Sequence, residues 1–317
     1  MLYFLQLLRF IASLLVLFFH LKLEESGYKG VDIFFVISGF VMYYTLFSAT
    51  RPTAFKFIIN RFTKIFFLYW VAITVLYLIM PHEMEFFSLK TILLFPGHTP
   101  VLGVSWSLSY ELYFYTIIGI GVYLVRPRFH KVLFITVFFI TTMVTCINLT
   151  PLTFKGSIFN FLIGQNLWEF LLGIISAYLF TTKVISPASA LKIAAFSFLL
   201  FLVVLIPFNT PISYLIYGPL SFTLVWSIAS YEKRYPLNKK LIPLIKILGE
   251  ASYAIYLFGP IVTVVIVPNN TFSVIMIILI TITLSILFNR FVESKFLKWS
   301  RKIIFNSFAY AKTNKEY

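Results

Sequence analysis

The sequence predicts an all-α polytopic membrane protein with about ten transmembrane helices. Of its 317 residues, 60% are apolar and only 12% are charged, and the apolar residues form long runs. A soluble globular protein has about 45–50% apolar and about 25% charged residues. So few charges cannot cover a water-facing surface of this size. The composition therefore excludes a soluble enzyme, a disordered chain and a nucleic-acid-binding domain.

The apolar runs locate the spans, because a helix needs about 20 mainly apolar residues to cross the bilayer. By that length the predicted spans are residues 3–21, 32–50, 62–80, 106–125, 132–150, 159–180, 191–206, 212–230, 246–267 and 271–289. Two stretches, 193–231 and 251–289, contain no charged residue and no His, and each is long enough for two spans. Turn residues interrupt them at 207–211 and 268–271, so each predicts a tight helical hairpin.

The positions of Lys and Arg predict the topology. The even-numbered connections and the C-terminal segment hold 21 of the 26 Lys and Arg residues, whereas the other side holds Lys22, Lys29, Lys90 and Lys155. Basic residues accumulate on the cytoplasmic side, so both termini are expected in the cytoplasm. We expect one integral membrane domain at residues 1–300 and a basic cytoplasmic tail at 301–317. The net charge of +15 then indicates contact with anionic lipid headgroups, and we expect no nucleic-acid partner.

Two ionisable residues in the first span lie on one helix face. Arg9 and His20 are separated by eleven positions, which is about 16 Å of rise and leaves them within about 20° of one another. An ionisable group inside a span is expensive and is a functional candidate by default. The alternatives are that Arg9 snorkels to the headgroups and that His20 makes an interfacial hydrogen bond. Neither alternative explains why both lie on one face.

Four acidic residues lie within predicted spans or at their ends. Asp32 opens span 2, where it would either act as a helix N-cap or take part in chemistry, and Ser38 and Gly39 after it would let another helix approach closely. Glu111 lies four residues after Ser107 on one face of span 4, so it must face protein or a polar cavity. Glu169 in span 6 and Glu250 in span 9 would each either pair with a basic neighbour or serve the site.

Pairs of charged residues lie at two helix ends. Arg61 and Lys64 are one turn apart, which suits either positive-inside anchoring or a phosphate site. Arg290 and Glu293 are similarly spaced, and we expect them to form a local pair. The sequence contains no nucleophile elbow, phosphate loop or metal-ligand spacing, so we expect no bound metal or cofactor.

Six blocks of the chain together resemble acyltransferase family 3, a family of integral membrane proteins. Arg9 and His20, with ten residues between them, match that family's first-helix signature. Residues 30–40 (GVDIFFVISGF) and 106–115 (WSLSYELYFY) match its next blocks. Residues 168–173 (WEFLLG), 248–257 (LGEASYAIYL) and 290–293 (RFVE) are similar to its later ones. Each block alone is weak, but six in order on a ten-span chain are specific.

The resemblance implies acyl transfer in the bacterial cytoplasmic membrane, usually of acetyl from acetyl-CoA to hydroxyls of glycans or lipid-linked sugars. Two departures from the family pattern bear on activity. Lys64 stands where the family usually has a second Arg, and Lys keeps the charge but loses the bidentate fork. Gly259 stands where the family commonly has His.

The hypothesis is that Arg9, Arg61 and Lys64 bind the phosphates of cytoplasmic acetyl-CoA, whose pantetheine arm then enters the bundle. His20 would act as general base or briefly accept the acyl group, with Glu111 orienting it and Asp32 supporting the site. Four further residues are expected either to bind the acceptor or to have a structural role, namely Trp106, Ser107, Tyr110 and Glu169.

Two alternatives remain from the sequence. In the first alternative, the protein is a glycan transporter or flippase that uses Asp32, Glu111 and His20 as a proton relay. Otherwise it would be an inactive family member that holds glycan-synthesis proteins together.

Overall fold

The computed structural model of the protein describes residues 2–47, 54–81, 88–96, 101–125, 161, 165–183, 185–204 and 214–313. This part of the chain forms helices and contains no strand, which confirms the all-α class. In chain order the helices are α1 (Tyr3–His20), α2 (Gly30–Phe47), α3 (Ala54–Ile79), α4 (Leu89–Ile92), α5 (Trp106–Val125), α6 (Gln165–Thr182), α7 (Pro187–Val204), α8 (Tyr214–Arg234), α9 (Ile242–Val265), α10 (Thr271–Phe288) and α11 (Ser294–Thr313).

Among the described residues, five stretches are long and apolar enough to cross a bilayer, namely Tyr3–His20, Gly27–Phe47, Phe55–Ile79, Ile242–Val265 and Thr271–Ile304. They coincide with predicted spans 1, 2, 3, 9 and 10. Helices α5, α6, α7 and α8 lie at predicted spans 4, 6, 7 and 8, whereas residues 132–150 lie outside the described part of the chain. The protein is therefore a helical membrane protein, and the count of ten spans and the side of each terminus stay predictions.

The second predicted hairpin forms as its turn residues indicate. Helix α9 ends at Val265 and α10 begins at Thr271, where the Asn270 side chain accepts a hydrogen bond from the backbone N–H of Ser273. The Ser273 hydroxyl accepts one from the Asn270 backbone N–H in return, which completes a capping box. The turn predicted at 207–211 lies outside the described residues.

Helix α2 occupies the middle of the bundle. It packs most extensively against α6 and also contacts α1, α5 and α8, while α1 lies along α9 on the other side. Most of α2 is accordingly buried, including Phe35, Ile37 and Phe40. A helix buried on nearly all sides carries few charges, and the polar side chains that α2 does carry point at particular neighbours.

The α2–α6 crossing is close because two glycines face each other. A Cβ atom on Gly39 would lie 2.1 Å from the backbone O of Phe170, and one on Gly173 would lie 2.1 Å from the backbone O of Val36. Small residues permit such approaches between membrane helices. The close approach expected at Gly39 is confirmed.

Helix α10 continues into α11 through a π-helical turn at Asn289–Glu293. The two helices and this turn run without a break from Thr271 to Thr313, antiparallel to α3, and Phe296 stacks on Phe67 with ring centroids 3.8 Å apart. The boundary expected at residue 300 falls within α11, and the separate tail beyond it stays a prediction.

We predict that Gly173→Ala destabilises the bundle by about 1–3 kcal/mol, because the added methyl group overlaps the backbone of α2. The control is Gly121→Ala, since a Cβ there meets no atom within 4 Å. Thermal unfolding of the purified variants in detergent compares the two. Equal unfolding temperatures for Gly173→Ala and the wild type would contradict the close crossing.

Candidate active site

Five ionisable side chains from four elements meet near the centre of the bundle. They are Arg9 of α1, Arg61 and Lys64 of α3, Glu111 of α5 and Glu293 of the π-helical turn. Arg9 interacts electrostatically with Arg61, Glu111 and Glu293, and Lys64 interacts with all four of the others. The structure thus brings together the three cations that the sequence assigned to donor binding. We call these five residues the central ionic cluster.

The buried carboxylate of Glu293 pairs across the bundle with α3. Its Oε1 lies 3.6 Å from Nζ of Lys64, and its Oε2 accepts a hydrogen bond of 2.8 Å from Nδ2 of Asn289. Asn289 also donates to the backbone O of Glu250 at 3.2 Å. π-Helical turns of this kind are frequent at functional sites.

The expected local pair of Arg290 and Glu293 is wrong. Arg290 is exposed and lies 5.8 Å from the ring centroid of Phe291, whereas Glu293 is 1% exposed. The π-helical turn places Glu293 on the inner face of the helix, toward Lys64, and Arg290 on the outer face. A burial this complete requires a cationic partner from another helix.

Glu111 is held by hydrogen bonds within the bundle. Its Oε1 accepts from the Tyr115 hydroxyl at 2.5 Å and from the Ser38 hydroxyl at 3.0 Å. These donors fix the carboxylate opposite Arg9. The expected orientation of His20 by Glu111 is therefore wrong, because Glu111 faces the middle of α1 and not its far end.

A narrow cavity of about 40 Å³ lies beside the central ionic cluster. Arg9, Glu111, Ser107, Tyr253 and Tyr256 contribute to its wall. Tyr256 donates to the backbone O of residue 104 at 2.9 Å, and its hydroxyl is 2.7 Å from that of Ser107. The Tyr253 hydroxyl, in contrast, is buried and has no hydrogen-bond partner among the described residues. The cavity thus holds a phenol group with an unused donor.

A second and larger cavity of about 540 Å³ opens between α3 and the start of α11. Arg61 and Lys64 line one wall, and Lys298 and Arg301 line another. Its volume lies within the range of about 300–1,000 Å³ that is usual for small-molecule sites. The predicted topology places its opening on the cytoplasmic side. Its four basic side chains suit an anionic ligand.

The central ionic cluster carries one more positive than negative charge. Lys64 is paired with Glu293, which leaves Arg9 and Arg61 with Glu111. Among the residues that the structure describes, neither guanidinium donates a side-chain hydrogen bond or forms a direct ion pair. Arg61 instead lies over the rings of Phe57 and Tyr115, 5.2 and 5.5 Å from their centroids. Ten N–H donors are thus available to an anion.

Asp32 belongs to a different cluster. It lies 4.0 Å from Nζ of Lys29, and its carboxyl group interacts electrostatically with that of Glu169. Lys29 also lies 4.6 Å from the ring centroid of Tyr217. The structure therefore separates Asp32 and Glu169 from Glu111, and Asp32 is the third residue of α2 and not its N-cap.

His20 is the last residue of α1. Its ring makes an edge-to-face contact with Phe19, with centroids 5.3 Å apart, and within the described ranges no hydrogen bond or ion pair joins it to another residue. It lines neither of the two cavities. Its distance of about 16 Å along the helix from Arg9 follows from the eleven positions between them. The structure thus leaves His20 apart from the central ionic cluster.

The aromatic residues assigned to acceptor binding or structure are packed against one another. Trp106 and Tyr110 make edge-to-face contacts with each other and with Phe35, and Tyr110 stacks on Phe161 with centroids 4.1 Å apart. Ser107 is bonded to Tyr256. These contacts are those of a packed interior, which is the structural alternative that the sequence left open.

Several residues of the site did not stand out in the sequence. Tyr115, Tyr253 and Asn289 are ordinary residues in apolar helices, and their roles depend on which helices face each other. Lys298 and Arg301 belong to the basic C-terminal segment, which in the sequence predicted only the cytoplasmic side of that end of the chain. Only the three-residue spacing of Lys298 and Arg301, which puts both on one helix face, could have indicated a shared site.

Comparison with known proteins adds the family. A family described as "Acyltransferase domain" matches residues 2–290. The exopolysaccharide production protein ExoZ of Rhizobium meliloti (strain 1021) is 29% identical over 260 residues, which cover 73% of this chain and 75% of that protein. No solved structure gives a significant match. Because the family match extends over most of the helical bundle and includes four of the five residues of the central ionic cluster, the chain belongs to this family of acyltransferases.

Proposed function

We propose that the protein is a membrane O-acetyltransferase that moves an acetyl group from cytoplasmic acetyl-CoA to a hydroxyl of a surface polysaccharide or lipid-linked sugar. The observation that carries the proposal is the pair of Arg9 and Arg61, two guanidinium groups inside the bundle that have no hydrogen-bond partner among the described residues. The name of the similar ExoZ protein, which concerns exopolysaccharide production, supports a polysaccharide acceptor. The proposed location is the bacterial cytoplasmic membrane.

The donor would enter through the large cavity with its phosphates at Arg9, Arg61 and Lys64. Guanidinium groups bind phosphate with two parallel hydrogen bonds, and Lys64 adds a point charge. An anion placed here cancels the excess positive charge of the central ionic cluster. Lys64 replaces the Arg that is usual in the family, so its contribution is charge without the second hydrogen bond.

The pantetheine arm would then pass the narrow cavity toward the end of α1. That cavity offers the unused Tyr253 hydroxyl, which suits an amide oxygen of the arm. The distance of about 16 Å from Arg9 to His20 is comparable to an extended arm. The side chains around the narrow cavity must move apart to admit the arm, because about 40 Å³ holds no more than a water molecule or two.

The reaction itself needs positioning and one proton transfer. A sugar hydroxyl oxygen attacks the thioester carbonyl carbon, a C–O bond forms and the C–S bond breaks. His20 takes the hydroxyl proton, which is finally delivered to the sulfur of CoA. Holding the two reactants together supplies most of the acceleration, since thioester-to-ester transfer is downhill. Asp32 stands in a separate cluster, so it would support the structure of the site and would not contact the reacting groups.

The first test is donor binding. We predict that Arg61→Gln weakens binding of acetyl-CoA to the purified protein in lipid nanodiscs by about ten- to a hundredfold, because a hydrogen bond to a charged group contributes about 1.5–3 kcal/mol. Arg290→Gln is the control, since Arg290 is exposed and outside the cavity. Equal affinity of the Arg61 variant and the wild type would contradict the phosphate site.

The same nanodiscs test the reaction with acetyl-labelled donor. Label that enters the glycan supports a transferase. Glycan that crosses the membrane without label would instead support the flippase. If neither labelling nor crossing is observed, the result favours the scaffold. Either of the last two results overturns the proposed function.

The proton acceptor is tested with His20→Gln. We expect transfer to fall by about 10²- to 10⁴-fold, the usual contribution of a general base, while acetyl-CoA affinity changes by less than about twofold. Glu111→Gln is measured beside it. If His20→Gln retains transfer and Glu111→Gln loses it, the base is Glu111 in the narrow cavity and the assignment of His20 is wrong.

The path of the arm is tested with Tyr253→Phe. We expect about a fivefold weaker binding of acetyl-CoA, the size of one neutral hydrogen bond, and unchanged binding of adenosine 3′,5′-bisphosphate, which lacks the arm. The exposed Tyr235→Phe is the matched control. Equal weakening for both ligands would contradict a contact with the arm.

A further inference from the structure

One wall of the large cavity comes from a part of the chain that the family match does not include. The match ends at residue 290, whereas Ser294, Leu297, Lys298 and Arg301 of α11 line the cavity. The cavity is therefore completed by a helix that lies beyond the matched residues.

The position of α11 against α3 is fixed by packing. Phe296 stacks on Phe67 of α3, and the Lys64–Glu293 ion pair lies just before the start of α11. The side chains of Lys298 and Arg301 follow three residues apart, so they share one face of the helix. Both are exposed at the cavity. The basic wall is thus held by the same contacts that hold the central ionic cluster.

The acidic residues of the cavity do not neutralise this wall. Glu293 is paired with Lys64, and Glu250 lies 4.0 Å from Nζ of Lys246. Within the described ranges Lys298 and Arg301 form no ion pair and no hydrogen bond. Two uncompensated cations on one wall therefore favour a ligand group with two negative charges.

The basic residues are arranged in order of depth. Lys298 lies about 7 Å and Arg301 about 12 Å further along the helix than Glu293, which marks the level of Lys64. Acetyl-CoA has a diphosphate next to its arm and a separate phosphomonoester on the ribose. A phosphomonoester carries a charge of about −1.5 to −2 at pH 7. With the diphosphate at Arg61 and Lys64, the phosphomonoester lies nearer the cavity mouth.

We propose that Lys298 and Arg301 bind the ribose 3′-phosphate of acetyl-CoA, so that α11 selects the phosphorylated donor over its 3′-dephospho form. This inference rests on the proposed function and adds a residue-level basis for donor specificity. The same two cations would also suit the phosphate of an anionic lipid headgroup, and the experiment separates these two sources.

The test measures binding of acetyl-CoA and of 3′-dephospho-acetyl-CoA to the full chain in nanodiscs of zwitterionic lipid. The wild type is expected to bind acetyl-CoA at least about tenfold more tightly. The double variant Lys298→Ala/Arg301→Ala is expected to lose this preference, with unchanged affinity for the dephospho donor. Lys295→Ala/Lys302→Ala removes two cations from the same helix outside the cavity and is the matched control.

The outcomes separate the two proposals. If the wild type binds both donors equally well, the 3′-phosphate site is wrong and the proposed function stands. If it binds neither donor, the proposed function fails as well. Adding anionic lipid to the nanodiscs tests the other source: a double variant that keeps the donor preference and changes only its response to anionic lipid overturns the inference in favour of headgroup binding.

Discussion

The structure depends on how three cations are accommodated inside an apolar helical bundle. An ion buried without a partner costs several kcal/mol, even after the surroundings relax. Glu293 compensates Lys64, and Glu111 faces Arg9, but one positive charge remains. The two cavities lie beside this excess charge, where water or an anionic ligand can reach it. A bundle without such openings would have to replace the cations with apolar residues.

The packing of α2 sets the geometry on which that compensation depends. Gly39 and Gly173 allow α2 and α6 to touch backbone to backbone. Ser38 is the residue before Gly39, and it donates to Glu111 on α5. A wider crossing would move Ser38 and leave the carboxylate with fewer donors. The close helix contact and the orientation of Glu111 are therefore consequences of the same two glycines.

The sequence predicted the features that follow from composition and spacing. Helix class, the hairpin between α9 and α10, the close approach at Gly39 and the grouping of Arg9 with Arg61 and Lys64 all belong to this kind. It did not predict the pairing of Glu293 with Lys64 or the separation of His20 from the central ionic cluster. Those depend on the depth at which two helices cross and on a π-helical turn, and neither is encoded in the spacing of apolar residues along one helix.

The two polar clusters on either side of α2 differ in charge in a way that fits the proposed substrates. Lys29 pairs with Asp32, and Glu169 interacts electrostatically with both, so this cluster has no excess positive charge. The central ionic cluster is positive. An acyl-CoA donor is strongly anionic, whereas a sugar hydroxyl is neutral. Since an excess charge in a bilayer is retained only where something compensates it, the positive cluster would be the donor end of the proposed reaction.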